Sequence, residues 1–193
     1  MITCENGSSS APGPIRTSCS LAAHLFDEGG AAVPGVSTST VAGLGLGPLT
    51  ALTRLVAAEV RAGWHEVPID PDRRWYRQLR DDGDVDVWLI GWATGQATEL
   101  HDHGRSLGAM TVVSGVLSEQ RWAPHRGGIR SRPLRSGCSQ GFRLGHVHDV
   151  VNVSAAPAVS VHAYSPPLTV MTYYEVDVAG LHRVRSTSDA QPG

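Results

Sequence analysis

The stretch "ELHDHGRSLGAMTVVSG", residues 99–115, opens with His101 and His103 one residue apart and closes on Gly115. Its second half is rich in small and β-branched residues and reads as extended chain. Residues two apart on a strand project from the same face, so the two imidazoles can reach one ion at about 2.0–2.2 Å. An H-x-H pair alone is equally well the polar rim of a turn. Its surroundings have to decide.

Moving outward, "DVDVWLIGW" (84–92) sets Asp84, Asp86, Trp88 and Ile90 against Val85, Val87 and Leu89 at period two. Similar β-rich runs are "AMTVVSGVL" (109–117), "APAVSVHAY" (156–164) and "LTVMTYYEV" (168–176), separated by turn clusters such as "HRGG" and "RSGCSQG". Ahead of them, "PLTALTRLVAAEVRAG" (48–63) carries Leu49, Leu52, Leu55, Val56 and Val60 at helical spacing, with Pro48 in a first turn and Gly63 past the last. One helix followed by many short strands predicts a mainly β barrel or sandwich with an N-terminal helical leader. Residues 1–46, rich in Gly, Ser, Thr and Pro, are expected to be a weakly ordered extension, 47–180 the domain, and 181–193 a tail.

The net charge of −2, with all basic charge on arginine, leaves no excess to neutralise a phosphate backbone and argues against nucleic acid as a partner. No run of about 18 apolar residues predicts a membrane span, and the start lacks the order of a secretory signal. Cys4, Cys19 and Cys138 show no zinc or disulfide spacing, so a reducing cytoplasm is the expected compartment. A monomer is expected.

The chain has nine histidines, and the flanks of His101 and His103 single them out. Gly95, His101, His103 and Gly115, then Gly137, Gly145, His148 and Asn152, resemble the two motifs of the cupin family, G-x5-H-x-H-x4-E-x6-G and G-x5-P-x-G-x2-H-x3-N. Gly108 stands where the first motif has Glu, and Arg143 where the second has Pro. The resemblance implies a double-stranded β-helix (jelly-roll) barrel holding a metal on His101, His103 and His148, without a carboxylate ligand. Imidazole suits several metals, and three neutral ligands leave the ion its full charge to attract an anion such as a thiolate. By face alone His146 competes with His148, and only the motif spacing favours the latter.

In "VSVHAYSPP" (159–167), Ser160, His162 and Tyr164 share one strand face. Together with "HDHGRS" (101–106) and "HDVVNVS" (148–154), this segment resembles the cysteine dioxygenase branch of the cupins over about residues 48–176. That resemblance implies Fe(II) on the three histidines and oxidation of L-cysteine by O2 to a sulfinic acid. It further implies a relay through Ser160 and His162 to Tyr164, whose hydroxyl stands beside the iron. Mammalian members crosslink that tyrosine to a cysteine at the position of Gly108, so Tyr164 is expected to be unmodified. A substrate carboxylate suits a guanidinium, and in "RRWYRQLRDD" (73–82) the family pattern selects Arg77. Related 3-mercaptopropionate dioxygenases carry Gln there, and Gln78 is adjacent. A one-residue register slip would exchange the two, leaving another small thiol as an alternative substrate. A metal-binding cupin that senses a ligand without chemistry is the alternative from a different class.

Overall fold

The computed structural model describes residues 43–126 and 128–188. The helical stripe forms α1 (Leu46–Arg61), two residues earlier than its sequence limits, and Gly63 follows it with a left-handed φ of 82°. The face it buries is Leu49, Thr53 and Ala57 at i, i+4 and i+8. Leu55, expected in the stripe, is 61% exposed. The face is turned by a polar contact: the Thr53 hydroxyl lies 2.8 Å from that of Thr111, which lies 2.9 Å from that of Ser139. A buried hydroxyl left without such a partner would cost about 1–3 kcal/mol, so this chain outweighs the small gain from burying Leu55.

The strands are β1 (Trp75–Asp81), β2 (Asp86–Trp92), β3 (His101–Asp102), β4 (Leu107–Ser114), β5 (Val116–Ala123), β6 (Gly128–Arg135), β7 (Ser139–Phe142), β8 (His148–Val151), β9 (Ala158–Ser165), β10 (Val170–Asp177) and β11 (Gly180–Ser188). They pair antiparallel in two sheets, β1-β2-β9-β4-β7 and β11-β10-β3-β8-β5-β6. This is the expected double-stranded β-helix barrel with its helical leader. Gly115 turns the chain from one sheet to the other at φ 76°, where a Cβ would stand 2.7 Å from the Pro157 carbonyl oxygen.

The alternation of β2 is buried on both faces. Val85, Val87 and Leu89 pack under α1 with Ala109, Val161 and Ala163, while Ile90 and Trp92 enter the barrel with Met110, Leu117 and Phe142. Each side chain so buried contributes about 1.5–3 kcal/mol. Asp86, on the interior face, accepts from the Trp88 indole at 2.9 Å and from the Leu168 amide at 3.0 Å.

Two expectations at the ends change. Residues 181–188, expected as tail, continue β11 along β10, with a register shift opposite Tyr173 and Tyr174. Of the extension, residues 1–42 lie outside the described residues, whereas the Leu44 amide donates to Ser165 Oγ at 2.8 Å. No helix among the described residues is long and apolar enough to cross a membrane.

Candidate metal centre

The two sheets divide the site between them. His101 on β3 lies directly opposite His148 on β8, and His103 follows just after β3, so all three rings come from the six-stranded sheet. All three are buried. His103 Nε2 lies 3.3 Å from His101 Nε2 and 3.5 Å from His148 Nε2. Ligands of one ion at about 2.1 Å and angles between 90° and tetrahedral stand about 3.0–3.4 Å apart, so these spacings fit three nitrogens on a shared ion. Burial, then the neighbouring rings, hold His101 and His103 well below the usual imidazole range, and burial lowers His148 likewise. They are therefore neutral, as metal ligation requires. The His101 Nδ1–H donates to the Glu99 carbonyl at 2.8 Å, which leaves Nε2 with its lone pair toward the centre. The residues present fit a metal.

His146, the competitor from sequence, is occupied elsewhere. Its Nε2–H donates to Glu119 Oε1 at 2.8 Å. Glu119, on β5, is completely buried and accepts on Oε2 from Arg132 Nε at 2.9 Å and Nη2 at 2.6 Å. Its Oε1 is also 3.4 Å from His148 Nδ1. Burial pushes the Glu119 carboxyl up, but the hydrogen bond from His146 and the closeness of His148 outweigh it and leave the group well below the usual carboxylate range.

The five-stranded sheet supplies the facing wall. Ser160, His162 and Tyr164 alternate inward along β9, between β2 and β4. The Trp92 indole, a donor only, bonds Ser160 Oγ at 2.9 Å. Ser160 Oγ lies 2.9 Å from His162 Nε2, and His162 Nδ1 lies 3.2 Å from the Tyr164 oxygen. The arrangement that satisfies every group has Ser160 donating to His162 Nε2 and His162 Nδ1–H donating to Tyr164, which leaves the phenolic proton free to point into the cavity. Burial presses His162 down to about 3 and raises the Tyr164 phenol, so both are uncharged at neutral pH. The cavity between the walls is lined by Ile90, Thr98, His101, His148, Val150, His162 and Tyr164. A larger surface concavity of about 520 Å³, bordered by Arg121, Arg126, Arg130 and Arg132, contains neither the histidine triplet nor the relay.

The Tyr164 ring also lies 4.8 Å from the His103 ring, tilted by 52° to it. Opposite it on β4 is Gly108, where a Cβ would stand 3.0 Å from both Tyr164 Cε1 and Phe142 Cδ2. The missing side chain at this position is what lets the phenol lie flat against β4.

Arg77 is not brought to the histidines. It pairs opposite Leu89, on the face of the sheet that α1 covers, and its exposed guanidinium lies 5.6 Å from the Trp75 ring and 3.5 Å from His65 Nδ1. The register turns Tyr76 and Gln78 to the opposite face, but Gln78 is exposed. A second guanidinium, that of Arg74 just before β1, stands beside Trp92, the residue that donates to Ser160. It lies 5.0 Å over the Trp92 ring and donates from Nη1 to the Ala97 carbonyl, while its buried Nε has no partner. Its charge acts on His101, His162 and Tyr164. Arg74 and Glu119 are the two site residues that sequence reading missed. The only trace of the first is its place two residues before Tyr76, on the interior parity. The second shares the strand face of Leu117, which makes it an acid pointing inward.

Residues 57–177 match the family described as cysteine dioxygenase type I. The chain is 30% identical over 105 residues to the Cysteine dioxygenase type 1 of Danio rerio, covering 49% of this chain and 52% of that one. It is 28% identical over 130 residues to the Homo sapiens protein of the same name, covering 62% and 65%. The matched part thus spans between about half and two thirds of the length of these curated relatives. Among solved structures it is similar to an uncharacterized conserved protein with a double-stranded beta-helix domain from Klebsiella pneumoniae, at 19% identity and TM-score 0.45, covering 62% of this chain and 90% of that one.

Proposed function

The chain belongs to the type I cysteine dioxygenase family, and on that premise we propose that it is an Fe(II)-dependent thiol dioxygenase acting on L-cysteine and O2 to give cysteine sulfinic acid. The observation that carries this reading is the convergence of three neutral imidazoles opposite a Ser–His–Tyr relay. Ferrous ion on His101, His103 and His148 would supply the redox chemistry by which both atoms of O2 pass to the thiol sulfur, with no external reductant.

The protein's own groups prepare that step. With no carboxylate ligand, the site stays electropositive and favours an incoming thiolate over a neutral thiol. Trp92, Ser160 and His162 fix the rotor of Tyr164, whose hydroxyl donates into the cavity toward substrate or oxygen. To Arg74 we assign the carboxylate-binding role expected of Arg77, on the support that its Nε has no partner and its guanidinium stands over Trp92, which donates to the relay. The setting we propose is the cytoplasm, with the small thiol and O2 as partners and neither nucleic acid nor membrane involved.

Metal analysis after loading with Fe(II), followed by O2 uptake and product identification with L-cysteine, 3-mercaptopropionate and cysteamine, tests the proposal. Cysteine sulfinic acid formed at one O2 per thiol supports it. Preference for 3-mercaptopropionate would move the reading to that substrate, and metal binding with no sulfinate from any thiol would make the protein a non-catalytic cupin.

A further inference from the structure

A neutral imidazole that offers Nε2 to a metal must carry its proton on Nδ1, and a buried Nδ1–H needs an acceptor. His101 has one in the Glu99 carbonyl. For His148, Nδ1 is buried and makes no well-formed hydrogen bond, and Glu119 Oε1 stands 3.4 Å from it. The backbone explains this pairing. Arg121 lies directly opposite His148, so Glu119, two residues earlier on β5, is its diagonal neighbour on the same face, within reach of a long side chain.

We infer that Glu119 is a positioning residue of the metal centre, holding His148 in the tautomer and orientation that present Nε2 to the ion. The inference rests on the three-histidine metal reading. A completely buried carboxylate is expensive unless its charge is met, and here it is met from two sides by Arg132 and His146. Arg132 is itself held by Gln140 Oε1. The proposed chemistry otherwise makes no use of these groups. Their arrangement is a carboxylate clamped in place behind a ligand, where it fixes the ring and raises its basicity as a donor.

The same atoms have a rival use. Glu119, His146 and His148 have ligand atoms within 4.8 Å of one another and could take a second ion. The 2.8 Å separation of His146 Nε2 and Glu119 Oε1 favours the hydrogen bond, because two ligands of one ion at about 2.1 Å stand at least about 3.0 Å apart. Binding a second ion would also strip His148 of its Nδ1 proton.

The test is Co(II) affinity by chelator competition, with the visible Co(II) spectrum and the melting temperature of the metal-free protein measured beside it, for wild type, Glu119→Gln, Glu119→Ala and Arg132→Gln. Glu119→Gln should weaken Co(II) binding at least tenfold and shift the spectrum, Glu119→Ala more, within the 10- to 100-fold range of such outer partners. Arg132→Gln, which keeps the carboxylate on His148, should lose less. Wild-type affinity and spectrum in Glu119→Gln overturn the inference while leaving the metal site standing. So does an equal affinity loss in Glu119→Gln and Arg132→Gln that follows their melting temperatures, since that is a purely structural role. Two ions per wild-type chain overturn it in favour of the second site. A wild type that binds no ion overturns the metal reading and the inference together.

Discussion

Replacing Arg74 with Gln and, separately, Arg77 with Gln sets two guanidiniums three residues apart against each other. Arg74 is partly buried, pairs with no carboxylate among the described residues, and has a buried Nε without a partner. Burial lowers its pKa from the ordinary guanidinium value, though not enough to discharge it. An incoming carboxylate would complete hydrogen bonds that the resting protein leaves unmade. A hydrogen bond to a charged partner contributes about 1.5–3 kcal/mol, and 1.4 kcal/mol is a factor of ten, so Arg74→Gln should lower kcat/KM for L-cysteine about 10- to 150-fold. Cysteamine, the same thiol and amine without the carboxylate, should lose less than threefold. Arg77→Gln, on the face toward α1, should change either substrate less than twofold. Steady-state O2 uptake on both thiols, with melting temperatures to confirm folding, decides the matter. Equal losses on cysteine and cysteamine would mean that Arg74 supports the scaffold through Trp92 and Ala97. A loss confined to Arg77→Gln would mean that the substrate carboxylate lies elsewhere.

Tyr164→Phe should keep Co(II) affinity within about twofold while kcat falls by roughly 100-fold or more, since only the positioned proton is removed; unchanged kcat would take the phenol out of the reaction. His162 is held down to about 3 by burial, whereas an unfolded histidine titrates near 6.5. The unfolded chain therefore binds the extra proton first, and stability is full above about pH 6.5 and declines as pH falls through the window toward about 3. At about 1.36 kcal/mol per unit, this one group should cost the metal-free protein roughly 2 kcal/mol between pH 6.5 and 5 in urea titrations. His162→Gln should flatten that slope, and an identical slope would contradict the assignment. Gly108→Ala places a methyl 3.0 Å from the Tyr164 and Phe142 rings and should lower stability by about 1–3 kcal/mol, read as a fall in melting temperature.

The parts of the fold and site that repeat with the period of a strand were legible in the sequence. His101 and His103, and Ser160, His162 and Tyr164, follow from residues two apart sharing a face, and the structure brings them together as that rule requires. What failed depends on partners distant in sequence. β1 shifts register between Gln78 and Arg80, and its pairing with β2 decides that Arg77 faces the helix. Local pattern in a stretch with four arginines in eight residues cannot supply that. Glu119 reads as an ordinary strand acid until Arg132 and His146 meet its charge from β6 and from the turn before β8. The last strand was lost for a related reason: residues 181–188 are mostly polar or exposed, and only pairing with β10 orders them.

That the histidine triplet and the Ser–His–Tyr chain lie on opposite sheets has a consequence for how such a protein can change. The imidazole wall and the phenol wall share no strand, so substitutions can accumulate on one without dismantling the other. A lineage could exchange its substrate or its reactivity through β9 and the segment before β1 while its grip on the ion stays as it was. The converse also holds: a chain that had lost one ligand would keep an intact hydroxyl relay facing an inert pocket.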